Sequence, residues 1–337
     1  MKYLIKLLYI SLGCLGFYFI FYQTQILLQK PHYTQIKVNP LMVEMDQPIQ
    51  AIEEYGAHLS STRALGKRLF YDTALSQKND LACSSCHILE QGGDDNRVIS
   101  VGQYKQEGRI NTPTVLNSTF NFRQFWNGRA VTLKEMIDVS VTSPSQMNNT
   151  WHLVIERLKQ DAGYQAQFAE AFGSAEIQVE WVQQALADYL ASLVTPNSRF
   201  DLYLKGHQSI LTPDENEGYR LFREYGCIAC HHGINLGGNL FAVMGVMNDY
   251  FKDKNGDNRA DLGRFEYTGQ EDDRHVFKVP GLRNVELTAP YFHDGQAQTL
   301  EQAVEQMAYY QLDMQLSQTE IAQMVSFLKT LTGEVKP

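Results

Sequence analysis

Four of the five cysteines in this 337-residue chain fall into two pairs, and a histidine follows each pair directly. Cys83-Ser84-Ser85-Cys86-His87 and Cys227-Ile228-Ala229-Cys230-His231 both read C-x-x-C-H. That spacing joins the two vinyl groups of a haem through thioethers and supplies an axial iron ligand from the adjacent position, so order and spacing both matter chemically. A zinc site built from Cys83, Cys86, Cys227 and Cys230 would need two distant pairs to converge and would leave His87 and His231 as coincidences. A redox dithiol is the weaker alternative, because no thioredoxin-like pattern of strand and helix surrounds either pair. The expectation is two covalently bound haem c groups, with His87 and His231 as iron ligands.

The sixth ligands should then decide what each iron does. Met307 lies in Val304-Glu305-Gln306-Met307-Ala308-Tyr309-Tyr310, a stretch that reads as helix. A Met and His pair raises the haem potential and fills the iron, which suits electron transfer. Core filling is the ordinary use of a methionine, and Met244, Met247 and Met314 are rival ligands. The first haem looks open to a small oxidant, because no histidine stands between His87 and His152. Met136, Met147 and Tyr104 are the groups able to close it.

The elements that must position these residues are helical. Thr212-Pro213-Asp214-Glu215 reads as a capping box with proline at the first helical position, and the helix it starts runs through Gly218, Leu221 and Phe222 to Cys227. A counterpart begins near Ser61 and runs through Gly66, Leu69 and Phe70 towards Cys83; Gly-x-Arg-Leu-Phe occurs in both. Ser317 and Glu320 form another capping box, opening a closing helix whose apolar face is Ile321, Met324, Val325 and Leu328. Residues 113–133 and 280–300 align without a gap: Pro113 with Pro280, Asn117 with Asn284, Phe125-Trp126-Asn127-Gly128 with Phe292-His293-Asp294-Gly295, and Ala130 with Ala297. On that alignment Met307 has Ser140 as its counterpart. The fold class expected is mainly α: two cytochrome c-like helical haem domains from a tandem duplication, over 50–200 and 205–335, preceded by an N-terminal membrane helix.

Residues 1–30 carry Lys2 and Lys6 ahead of an apolar, aromatic run that ends near Tyr22 without small residues for cleavage. This reads as an uncleaved anchor with Met1 in the cytoplasm and the rest at the periplasmic face of a bacterial inner membrane. Ser11-Leu12-Gly13-Cys14 is only a faint lipoprotein site. Composition is that of an ordinary globular protein, 44% hydrophobic and 20% charged. A net charge of −9, from 29 Lys and Arg against 38 Asp and Glu, argues against nucleic acid as a partner.

These residues resemble the bacterial di-haem cytochrome c peroxidases, from about Leu65 to Gly333. The resemblance is carried by both C-x-x-C-H segments, Asn111-Thr112-Pro113-Thr114-Val115-Leu116-Asn117, Phe125-Trp126-Asn127-Gly128-Arg129-Ala130, Leu193 to Asp201, and Ala289-Pro290-Tyr291-Phe292-His293-Asp294-Gly295. It implies that the N-terminal haem is the hydrogen peroxide site. It further implies that the C-terminal haem, with Met307, takes electrons from a small cytochrome c or copper protein, and that Trp126 stands between the haems. It also implies a calcium ion held by Asn111, Thr288 and Pro290, oxygen donors that suit a hard cation, and, as in many members, a homodimer. Asp253, Asn255 and Asp257 offer a rival calcium loop, but Asn258 and Arg264 occupy its sixth and twelfth positions.

Departures from the family pattern fall at the peroxide site. Gln146 stands where members usually carry a glutamate, and Met136 where they carry a glutamine; the switchable distal histidine is missing. An amide binds peroxide by hydrogen bonds but cannot carry its proton. The leading expectation is a peroxidase. A MauG-like oxidase of a partner protein, which would place tyrosine at Met307 and keeps Tyr309 and Tyr310 of interest, is the second reading. A di-haem electron carrier is the third.

Overall fold

A computed structural model describes residues 48–53, 60–252 and 258–335. The 1–30 anchor, Cys14 and the Asp253, Asn255 and Asp257 loop lie outside the described residues. Among the described residues no helix is long and apolar enough to cross a membrane.

The chain is mainly helical. Its helices are α1 (Ser61–Phe70), α2 (Leu133–Thr142), α3 (Trp151–Lys159), α4 (Ala162–Phe172), α5 (Val179–Ser192), α6 (Arg199–Leu204), α7 (Pro213–Glu224), α8 (Phe265–Thr268), α9 (Leu300–Leu312) and α10 (Gln318–Lys329). Strands β1 (Phe241–Val243) and β2 (Val276–Lys278) pair antiparallel, with Phe241 opposite Lys278. Side-chain caps start the helices where the sequence marks them. Thr212 and Glu215 close a reciprocal capping box on α7, as do Ser317 and Glu320 on α10. Ser60 caps α1, while Thr132 and Thr299 cap the equivalent helices α2 and α9.

Two hydrophobic clusters form. One gathers α1 to α5 around Leu69, Phe70, Val154, Phe168 and Leu186; the other gathers α6, α7, α9 and α10 around Phe200, Leu221, Phe222 and Phe327. Each is organised by one close helix crossing that requires glycine. A Cβ on Gly66 would stand 1.9 Å from the Ala185 carbonyl oxygen on α5, and one on Gly218 would stand 2.0 Å from that of Gln323 on α10. The Leu and Phe that follow each glycine at the third and fourth positions, Leu69-Phe70 and Leu221-Phe222, are buried. The repeated Gly-x-Arg-Leu-Phe is therefore a packing signature.

The aligned blocks also share backbone detail. Asn117 and Asn284 adopt φ of 59° and 61°, Phe125 and Phe292 of 66° and 70°, and Gly128 and Gly295 both of 64°. Bridges Gln124 to Ala130 and Tyr291 to Ala297 close the same loop in each half. The two asparagines meet at one residue: Asn117 Nδ2 and Asn284 Nδ2 donate to Thr195 Oγ1 at 2.8 and 2.9 Å. Buried Arg283 adds an ion pair with Asp201 at 2.8 Å, and both side chains are fully out of solvent. Breaking such a pair by truncating one partner typically costs about 3–5 kcal/mol.

Candidate functional site

The two C-x-x-C-H segments fold alike. Cys83–Ser85 and Cys227–Ala229 are single 3₁₀ turns. The His87 N–H donates to the Cys83 carbonyl at 3.0 Å, and the His231 N–H to the Cys227 carbonyl at 2.9 Å. His87 Nδ1 then lies 3.0 Å from the Gly93 carbonyl, and His231 Nδ1 lies 3.2 Å from that of Leu236. A carbonyl at Nδ1 fixes the proton there and leaves the Nε2 lone pair for a metal. Burial lowers the pKa of both imidazoles, that of His231 to about 4, so each is a neutral ligand.

The sulfur surroundings are apolar and suit haem attachment. None of the four thiols is in a disulfide. Burial pushes the Cys83 thiol up to about 12, and those of Cys86 and Cys227 up to about 11. With no metal bound, these surroundings keep the thiols protonated. Thioether sulfurs carry no charge, so the same surroundings suit haem attachment. Cys83, Cys86 and His87 would hold one haem; Cys227, Cys230 and His231 would hold the other.

Met307 sits half-buried on α9, one position before buried Ala308. Ser140, its counterpart, occupies α2. Of the methionines that rival Met307, Met247 is 57% exposed; Met147, a candidate to close the first site, is 8% exposed in the first core cluster. Tyr104 is drawn to the surface: its hydroxyl donates to Gln77 Oε1 at 2.8 Å and the Lys78 ammonium lies 4.1 Å from its ring centroid. Tyr309 is exposed, and Tyr310 packs edge-on against Tyr250.

On the peroxide side, Met136 packs against the first cluster from α2, and Gln146 follows that helix. The Gln146 backbone is held on both sides: its N–H donates to the Ser143 carbonyl at 3.0 Å, and its carbonyl accepts from the Gln103 N–H at 2.9 Å. No described residue engages its side-chain amide. Gln103 is a residue that sequence reasoning passed over. It is 1% exposed, its Nε2 donates to Asp80 Oδ1 at 2.5 Å, and its Oε1 accepts from the Lys78 N–H at 3.2 Å. Gly102 beside it packs so closely that a Cβ would stand 2.1 Å from the Ser145 carbonyl oxygen. A cavity of about 460 Å³ opens beside this loop and is lined by Asp80, Cys86, Asp95, Arg97, Gln103 and Tyr104 among others.

Trp126 occupies the junction between the halves. Its Nε1 donates to the Asn111 carbonyl at 3.0 Å, its own carbonyl accepts from the Lys278 N–H at 2.8 Å, and its ring meets that of His293 edge-on, centroids 6.4 Å apart. Asn111 Nδ2 donates to the Arg97 carbonyl at 2.8 Å, which leaves Oδ1 as the free acceptor. Asn96 Nδ2 ties the Leu287 and Ala289 carbonyls, at 2.9 and 3.3 Å, to Asp94 Oδ1 at 3.3 Å. The other Asp94 oxygen is buried without a partner, and burial raises that carboxyl to about 7. Asp94, too, went unread in the sequence, because its orphaned oxygen exists only in the folded turn.

Residues 60–209 match the family model described as di-haem cytochrome c peroxidase. A cytochrome c551 peroxidase of Nitrosomonas europaea is 44% identical, over 86% of this chain and 85% of the relative. The cytochrome c551 peroxidase of Pseudomonas aeruginosa is 41% identical, over 85% of this chain and 83% of the relative. Among solved structures, a MauG-like protein associated with microbial copper homeostasis superposes with a TM-score of 0.73 at 28% identity, covering 86% of this chain and 94% of that one. Relatives this similar over most of both chains, with two haem c attachment segments in place, settle the family: the chain belongs to the di-haem cytochrome c peroxidases, and so to the oxidoreductases.

Proposed function

We propose that the chain reduces hydrogen peroxide to water at the site of Cys83, Cys86 and His87. Its electrons would come from a small cytochrome c or copper protein and enter at the site of Cys227, Cys230, His231 and Met307. The observation that carries this reading is asymmetry within a duplication. Two attachment turns with matching histidine bonds are followed, on equivalent helices, by Met307 in one half and Ser140 in the other. Haem iron supplies one-electron redox chemistry and, where one axial position is free, a seat for an oxygen ligand.

The protein's own share is positioning. His87 and His231 are held as neutral ligands by the Gly93 and Leu236 carbonyls. Trp126, bonded to Asn111 and Lys278 at the junction of the halves, would help electrons pass between the two sites. Gln146 offers an uncommitted amide that would bind peroxide by hydrogen bonds, and Met136, packed against the first cluster, adds no proton carrier. The switchable distal histidine of the family is missing, so the first site should need no reductive opening, and Gln103 fastens the loop beside Gln146. The domains read as cytochrome c-like units over 50–200 and 205–335, with the N-terminal segment placing them at the periplasmic face of the inner membrane and a homodimer as the assembly. Calcium would be held by Asn111 Oδ1 and the Thr288 and Pro290 carbonyls, the ligand set that the family resemblance implies. The buried, partnerless Asp94 oxygen is a further oxygen donor in this part of the chain, one that a hard cation would hold ionised.

The test is peroxide-dependent oxidation of a reduced small cytochrome c by the full chain with two haems attached. Sustained turnover is expected. Absence of turnover from fully loaded protein overturns the peroxidase reading and moves the function to electron transfer.

A further inference from the structure

Lys278 closes β2 with only 6% of its surface exposed, and burial alone pulls its ammonium down to about 8. Among the described residues, no carboxylate and no hydrogen-bond acceptor meets that ammonium. The chain treats a buried arginine differently. Fully buried Arg283 pairs with Asp201 at 2.8 Å and donates to the Ile234 and Gln50 carbonyls. A cation left with this little water and no counter-charge is costly, and proteins avoid it unless something else supplies the anion.

The surroundings say where that anion comes from. The Lys278 N–H donates to the Trp126 carbonyl at 2.8 Å. Its counterpart in the duplication, Asn111, donates in the same way to the His293 carbonyl at 2.7 Å, and Trp126 and His293 are themselves counterparts. Lys278 thus sits on the junction of the two halves. Two residues further on, the Pro280 carbonyl approaches the His231 ring. The same oxygen packs so closely on the turn after His231 that a Cβ on Gly237 would stand 2.2 Å from it. The strand that carries the lysine is therefore part of the wall of the second haem site. A haem c brings two propionate carboxylates wherever it binds.

We propose that the Lys278 ammonium is the fixed counter-charge of a propionate on the haem attached at Cys227 and Cys230. The proposal rests on haem loading, not on peroxide turnover. Its consequence is electrostatic: a positive charge close to the haem in a poorly solvated site favours the reduced form, which carries one more electron, so Lys278 raises the potential of the electron-accepting haem.

The experiment is a spectroelectrochemical titration of the full, doubly loaded chain and of Lys278→Gln and Lys278→Arg. Lys278→Gln is expected to lower the potential of the Met307-side haem, with the other haem moving less; Lys278→Arg, which keeps the charge, is expected to restore it. Unchanged potentials in Lys278→Gln with both haems attached, or a shift confined to the His87 haem, overturn the assignment. If Lys278→Gln does not accumulate, a structure of the loaded parent decides. Lys278 Nζ within hydrogen-bond distance of a propionate oxygen supports the proposal; Nζ in water or on a protein carboxylate refutes it. None of these readouts requires turnover, so failure of the peroxidase reading and failure of this one remain separable.

Discussion

Replacing Gln146 by glutamate tests the chemistry of the peroxide side with the smallest change of shape. The backbone at this position is anchored by the Ser143 carbonyl on one side and the Gln103 N–H on the other, so the new carboxylate takes the place of the amide without moving the chain. Glutamine presents peroxide with a donor and an acceptor but cannot take up its proton. A positioned acid–base group contributes typically 10²- to 10⁴-fold, which at ~1.4 kcal/mol per tenfold is about 3–5 kcal/mol of barrier. Gln146→Glu is therefore expected to accelerate the peroxide step by about two to four orders of magnitude. The assay is stopped-flow mixing of the reduced, doubly loaded protein with peroxide, read from the haem spectra across pH. Only the ionised carboxylate accepts the proton, so the variant should gain a low-pH limb that the parent lacks and fall back to the parental rate below it. A loaded variant no faster than the parent at any pH would refute the reasoning, and would mean that proton transfer is handled elsewhere in the cavity.

Other perturbations probe the frame around that site. Trp126→Phe removes the bond to the Asn111 carbonyl, at about 1 kcal/mol of stability, and should slow donor-driven turnover while both haems stay attached; unchanged turnover discards the relay role. Gly218→Ala places a methyl 2.0 Å from the Gln323 carbonyl oxygen, and should lower stability by about 1–3 kcal/mol or more as α7 and α10 are forced apart, measured by thermal melts. Burial pushes the Glu215 carboxyl up, but the Arg199 fork and the Thr212 N–H outweigh it and hold it below the usual value. Its contribution is thus complete above the unfolded pKa of 4.5 and lost as pH falls through the lower folded one. Glu215→Gln should cost about 1 kcal/mol at pH 7, half-exposed Arg199 limiting the value, and progressively less towards pH 3. Chelation of calcium should lower the melting temperature of the parent, and Asn111→Ala should abolish that sensitivity; a melt indifferent to chelator removes calcium from the reading.

What the sequence revealed follows from how local each signal is. The attachment turns, the capping boxes of Thr212 and Ser317, and the two Gly-x-Arg-Leu-Phe helices are short-range patterns, and each folds as its residues require. The duplication was legible because the same packing demands preserved the same residues twice: a left-handed asparagine, a left-handed phenylalanine and a helix-capping threonine. Gln103, Asp94 and Lys278 were illegible for the opposite reason. A glutamine, an aspartate and a lysine in polar or loop-like stretches read as solvated. Only long-range neighbours, such as Ser145 against Gly102 or Trp126 against β2, reveal that these three are buried. The surface bond of Tyr104 to Gln77 was illegible on similar grounds: nothing in its sequence context announces it.

The duplication also constrains how the two sites communicate. The halves are joined where equivalent residues meet: Asn117 and Asn284 on Thr195, Asn111 on His293, and Lys278 on Trp126. Bonds of this kind, backbone to backbone or to a buried hydroxyl, hold the junction at one spacing. A junction so fixed leaves little room to regulate transfer by changing the distance between sites. Control must then sit in the residues that differ between equivalent positions. In the proposed function Met307 against Ser140 would decide which site keeps a place for peroxide, Trp126 against His293 would decide what lies between, and Lys278 against Asn111 puts a built-in cation in one half where the other offers an oxygen donor. With Gln103 bolted to Asp80 and Gln146, the first site has no histidine to release. The order of events then follows from the potentials of the two haems rather than from a conformational trigger. Peroxide reduction by this chain should accordingly show no lag when the fully oxidised protein meets donor and peroxide together. A reproducible lag abolished by prior reduction would place a moving part in the first site after all.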